Sequence, residues 1–116
     1  MNWQGLERRR FIRAKLPCKI IVYTPEQHTI VSETENIGAG GVRVIIEEKL
    51  DIHLIVGLEI YLNNEVVSCK GRVVWVLDTP AEASLSFDTG IEFFEIKEED
   101  RNVIKNIVET VCYREK

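Results

Sequence analysis

The stretch "NIGAGGVRVIIEE", residues 36–48, decides the fold. Its first half holds three glycines, Gly38, Gly40 and Gly41, within six residues, and reads as a turn. Its second half alternates, with Val42 and Val44 on one face of a strand around Arg43. A glycine turn that opens directly into an alternating strand belongs to a β-rich protein.

The segments on either side extend that reading. "LPCKIIVY", residues 16–23, is rich in β-branched residues and predicts a strand, closed by the turn at Thr24 and Pro25. "HTIVSETE", residues 28–35, predicts a second, more polar strand. Residues 49–57 read as a loop and residues 58–62 as a short strand. Asn63 and Asn64 suit a hairpin turn, because asparagine tolerates positive φ. "EVVSCKGRVVWVL", residues 65–77, predicts a long strand with Gly71 at a bulge or bend. A loop with Pro80 follows, then a strand over residues 84–94 with Gly90 as a kink.

The period then changes. Val103, Ile104, Ile107, Val108, Val111 and Cys112 recur at helical spacing and form one apolar stripe. Glu98, Glu99 and Asp100 fall where the helix dipole favours acids, and Arg114 and Lys116 where it favours bases. The spacing predicts a helix over residues 97–113. Several strands followed by one helix imply a mainly β fold, an antiparallel barrel or sandwich with a C-terminal α-helix.

A chain of 116 residues fits one domain. Residues 1–15 are expected to be a flexible basic leader, and residues 16–116 the folded body. The net charge of -4 argues against broad nucleic-acid binding, which needs an extended basic face. Cys18, Cys69 and Cys112 form no CxxC pair, so no zinc site is expected and idle thiols in a reducing compartment are the simpler account. No apolar stretch follows the charged N-terminus as in a signal peptide, and none approaches the ~18–20 residues of a membrane span. These features predict a cytoplasmic protein without membrane insertion.

Two motifs carry chemistry. "ERRRFIR", residues 7–13, places Arg8, Arg9, Arg10 and Arg13 within six residues of an otherwise acidic chain. Arginine presents a planar fork that pairs with phosphate, stacks on flat rings and matches the O6/N7 edge of guanine. Arg9 and Arg13 form an Arg-x-x-x-Arg spacing. In the second motif, residues 36–41, Asn36 offers a donor and an acceptor, and the glycines let backbone N–H groups approach a ligand. A P-loop is excluded, because the Gly-Lys-Ser/Thr ending is absent. Taken alone, the arginines read as a solvated tail and the glycines as a structural turn.

Together the segments have a family likeness. "ERRRFIRAKLP", "ENIGAGGVRV", "GRVVWV" and "TGIEFFEI", followed by a terminal helix, resemble the PilZ domain over residues 7–113. The resemblance implies a six-stranded antiparallel β-barrel and binding of cyclic di-GMP, a ligand rather than a cofactor. It implies that Arg9 and Arg13 hold guanine and phosphate, that Asn36 meets a guanine edge, and that Gly41 permits a tight turn. Arg8, just before the motif, goes in similar domains with an intercalated ligand dimer, which implies two ligands per chain.

The family's serine is Gly38 here. One neutral hydrogen bond contributes about 0.5–1.5 kcal/mol, against about 1.5–3 for a bond to a charged group. Losing the serine is therefore expected to weaken binding about tenfold, and losing Arg9 or Arg13 to weaken it more. Gly38 is also expected to relax the turn.

The functional expectation is a non-enzymatic receptor that passes its signal to an unidentified downstream protein. The alternative is a degenerate domain that binds no nucleotide and acts as a protein-interaction module. No nucleophile is paired with a base, and His28 and His53 have no catalytic or metal-binding neighbours in sequence. Trp75, in the apolar run "VVWVL", is expected in the core rather than as a ligand platform, and Trp3 as a reporter of leader docking. Arg43 and Arg72 fall on strands, where a solvated face is the simpler account and added charge beside a ligand the other. The helix stripe is expected to pack on the barrel, and a partner or a second copy of the chain, as in a homodimer, could use part of it.

Overall fold

A computed structural model describes residues 13–79 and 85–114, with side chains in the helix to residue 112. Most of the expected leader, including Arg8, Arg9, Arg10 and Trp3, lies outside the described residues. The strands are β1 (Arg13–Ala14), β2 (Lys19–Tyr23), β3 (Thr29–Gly38), β4 (Gly41–Ile46), β5 (Ile55–Leu62), β6 (Glu65–Asp78) and β7 (Phe87–Glu95). One helix, α1 (Glu98–Arg114), follows.

Every pairing is antiparallel, and β3 closes the ring. Its first half pairs with β2, Thr29 opposite Tyr23 through Glu33 opposite Lys19. Its second half pairs with β4, Thr34 opposite Val44 through Gly38 opposite Gly41. The circuit β3-β2-β5-β6-β7-β4 therefore returns to β3 as a six-stranded barrel. The two residues of β1 lie on the other flank of β3, Arg13 opposite Gly38 and Ala14 opposite Ile37.

Alternation places one face of each strand inside. Ile20, Val22, Ile37, Val42, Val44, Val56, Leu58, Ile60, Leu62 and Ile91 are buried in one core. Burying each such side chain stabilises the fold by about 1.5–3 kcal/mol. Ile104 and Val108, one turn apart on α1, join the same core. Val103, Ile107, Val111 and Cys112 pack at its margin, so the predicted stripe is the helix's docking face.

Several local expectations differ from the structure. Residues 36–38 belong to β3, and only Ala39 and Gly40 turn. Asparagine and glycine are weak strand formers, but pairing with β1 on one side and β4 on the other holds them extended. β5 begins at Ile55, inside the expected loop, because β6 supplies a partner from Arg72 onward. Asn63 has φ 49°, as its hairpin turn requires. The ladder shifts register between Lys70 and Gly71, where a bulge was expected.

Candidate functional site

The arginine segment and the glycine hairpin meet. The connection from β1 to β2 is tied to β3 by Thr34, which is buried. The Thr34 hydroxyl donates to the Leu16 carbonyl at 2.7 Å and accepts from the Cys18 N–H at 3.0 Å. The Thr34 N–H also donates to the Cys18 carbonyl at 2.9 Å. This staple directs β1 along β3, and Arg13 Nε–H then donates to Asn36 Oδ1 at 2.9 Å. Burial, and then the charge of Arg43, hold the Arg13 guanidinium below its ordinary pKa.

The hairpin is held from below. Arg101 Nη1–H donates to the Ala39 carbonyl at 2.8 Å, and the Phe93 N–H donates to the Gly40 carbonyl at 2.9 Å. Both turn carbonyls are engaged. Gly41 is required for space. A Cβ there would overlap the Ile91 carbonyl oxygen of β7, and none of the described glycines has positive φ. The Cys112 thiol, at the far end of α1, donates weakly to the Arg13 carbonyl at 3.6 Å. The helix thus touches both segments.

Of the residues singled out from the sequence, Arg13, Asn36, Gly38 and Gly41 are brought together, while Arg8 and Arg9 lie outside the described residues. Sequence reasoning missed the row beside them. Asn36 of β3, Arg43 of β4, Gly90 of β7 and Trp75 of β6 are successive register partners, so they share the outer face of the barrel. Arg43 is not a solvated charge. Its Nε–H and Nη2–H donate to the two Asp88 carboxylate oxygens at 2.8 and 2.9 Å, and that bond raises its pKa. Arg72 is likewise engaged, 3.5 Å from Glu92 and over the Phe94 ring at 4.4 Å.

Trp75 is a correction. A strand of strict period two would turn Trp75 inward with Val73. The register shift between Val73 and Trp75 inserts Val74 as an extra residue and reverses the phase. The indole is therefore half-buried on the outside, over Gly90, where a Cβ would overlap it.

All three cysteines are free. Burial raises the pKa of Cys18, and burial pushes that of Cys69 up to about 12, so both stay protonated. Among the described residues no group of three or more His, Cys, Asp or Glu side chains could hold a metal ion. Among the same residues no helix is long and apolar enough to cross a membrane.

A closed six-stranded antiparallel barrel with a terminal helix and an arginine strand laid against a glycine hairpin defines a known class of domain. The family model described as "PilZ domain" matches residues 7–110, and the chain belongs to that family. No curated protein sequence matches it. Among solved structures it is similar to the Bacillus subtilis inhibitor of motility MotI/DgrA, with a TM-score of 0.79, 18% identity, and coverage of 94% of this chain and 53% of that one. It is similar to the PilZ domain of Escherichia coli YcgR with c-di-GMP, with a TM-score of 0.75, 11% identity, and coverage of 92% and 93%. It is also similar to the K. pneumonia MrkH–c-di-GMP complex, with a TM-score of 0.77, 15% identity, and coverage of 94% and 56%. The chain spans about half the length of MotI/DgrA and of MrkH.

Proposed function

We propose that the chain is a cytoplasmic, non-enzymatic receptor for cyclic di-GMP that relays ligand binding to a downstream protein. The observation that carries this reading is the 2.9 Å hydrogen bond from Arg13 to Asn36, which joins two motifs 23 residues apart on one outer wall. Arg8, Arg9 and Arg13 supply charge for the two phosphates. Asn36 meets a guanine edge, and Gly38 and Gly41 keep the hairpin backbone close to the ligand. The exposed part of the Trp75 indole offers a stacking surface in the same row. Family membership supports the reading, as do the two similar proteins described with c-di-GMP. The helix, bonded to both Ala39 and Arg13, is the element through which a change at the site reaches another surface.

Calorimetric titration of the full chain with cyclic di-GMP tests this directly. Saturable heat is expected from the wild type, with most of the affinity lost in Arg9→Ala and in Arg13→Ala. Absence of heat from the wild type overturns the reading.

The second reading is a domain of the same fold that binds no nucleotide and acts on proteins alone. Gly38, where the family pattern has serine, favours it. Gly38→Ser separates the two readings: a gain of about tenfold in affinity supports the receptor, and no binding by either form supports the interaction module.

A further inference from the structure

We propose that Arg43 is a further ligand-binding residue of this site and that Asp88 is its positioning residue. The inference rests on the receptor reading and names a residue outside both sequence motifs. Arg43 stands in the cross-strand row directly between Asn36 and Gly90. On one side its neighbour is the carboxamide that already binds Arg13. On the other, Gly90 has no side chain to cover it, and the next member of the row is the Trp75 indole.

The guanidinium is fixed and only partly used. Asp88 takes the Nε–H and one Nη2–H, and it is the only hydrogen-bond partner of the Arg43 side chain among the described residues. A guanidinium has five N–H donors, so both Nη1 hydrogens and one Nη2 hydrogen remain. The free Nη1 and Nη2 hydrogens at the tip form a fork that fits two oxygens of a phosphodiester. Arg43 is 37% exposed at its side chain and Asp88 19%, so the guanidinium is the more accessible member of the pair.

Asn36 links the same fork to the arm, since its carboxamide accepts from Arg13 and its register partner is Arg43. Burial, and then the charge of Arg43, lower the Arg13 pKa, in keeping with two cations beside one another. Asp88 balances Arg43, whereas among the described residues the Arg13 side chain bonds to the neutral Asn36. A dianionic ligand seated over Asn36 meets both cations at once. A charge-assisted bond from Arg43 is roughly twice as strong as the neutral bond that a serine at position 38 would make. Arg43 thus compensates for Gly38.

The test is titration of the full chain with cyclic di-GMP at low and high salt, for wild type, Arg43→Gln, Arg43→Lys, Asp88→Asn and the Arg43→Gln/Asp88→Asn double variant. Arg43→Gln is expected to bind about 10- to 100-fold more weakly, with a shallower salt dependence than the wild type. Arg43→Lys is expected to restore the salt dependence but only part of the affinity, because lysine keeps the charge and loses the fork. Asp88→Asn is expected to weaken binding in the wild-type background and to have no further effect in the Arg43→Gln background. Wild-type affinity and salt dependence in Arg43→Gln overturn the proposal. So does an equal loss from Asp88→Asn in both backgrounds, or tighter binding by Asp88→Asn, which would make the carboxylate a competitor. Heat from the wild type that Arg43→Gln leaves unchanged sinks this inference alone, whereas no heat from the wild type sinks the receptor reading with it.

Discussion

The outer wall made by β3, β4 and β7 and the one made by β2 and β5 come from strands of the same alternating kind, yet they treat charge and glycine oppositely. On the β2–β5 wall polar groups satisfy one another. Glu59 accepts from Tyr23 at 2.7 Å and from Tyr61 at 3.3 Å, and the Lys19 ammonium lies 4.9 Å from the centre of the Tyr61 ring. The hydrogen bond to Glu59 raises the Tyr23 pKa, so the phenol keeps its proton at neutral pH. On the other wall Asn36 accepts from Arg13 and lies opposite Arg43, and among the described residues only Arg43 of these two has a carboxylate partner.

The glycines follow the same division. A Cβ on Gly57 would meet the Tyr23 Cβ at 3.5 Å, an ordinary contact. A Cβ on Gly41 would enter the Ile91 carbonyl, and one on Gly90 would enter the Trp75 indole. Backbone and indole thus occupy space that side chains fill elsewhere. A barrel that closes its charges on one wall and leaves donors available on another carries its binding capacity asymmetrically.

That contrast can be broken or sharpened by substitution. Gly41→Ala is expected to have the largest effect, because backbone cannot move aside as a side-chain tip does. A loss of about 3 kcal/mol should appear as a lower urea midpoint with unchanged slope. If Gly41→Ala were as stable as Gly57→Ala, the division between the walls would collapse. Thr34→Val comes next. It keeps the shape and deletes the hydroxyl, leaving the Leu16 carbonyl and the Cys18 N–H without their partner, at a cost of about 2 kcal/mol. Hydrogen exchange at Cys18 should rise well above that at Ile20 in the same variant, and equal protection would show that the staple does not hold the arm's root. The smallest effect belongs to Gly57→Ala, where reduced freedom of the unfolded chain should stabilise the protein by about 0.5 kcal/mol. A destabilised Gly57→Ala would mean that the β2–β5 wall is as tightly filled as its counterpart.

The reach of sequence reasoning can be followed residue by residue. The helix was predicted over residues 97–113 and runs Glu98–Arg114, because its signal is local: an apolar period of 3.6 with acids at the start. The strand alternation around Arg43 was equally legible. Asp88 as its partner was not, since nothing near Arg43 in sequence announces that β4 lies beside β7. Trp75 misled because its inward or outward sense depends on one bulge, and a bulge of valine among valines has no signature of its own. β5 was cut short because residues 49–57 have no clear alternation, and only the long β6 makes their end a strand.

What this sequence settled alone is a set of local choices: most of the extended segments, the hairpin turn at Asn63, where the helix starts and stops, and that two arginine- and glycine-bearing motifs are present. Those choices depend on neighbours within a few bonds. Barrel closure settled the rest: that Arg13 reaches Asn36, that Arg43 joins them with Asp88 behind it, and that Trp75 turns outward. Those are contacts between strands far apart along the chain, and their geometry exists only once β3 has bridged the two ends of the sheet.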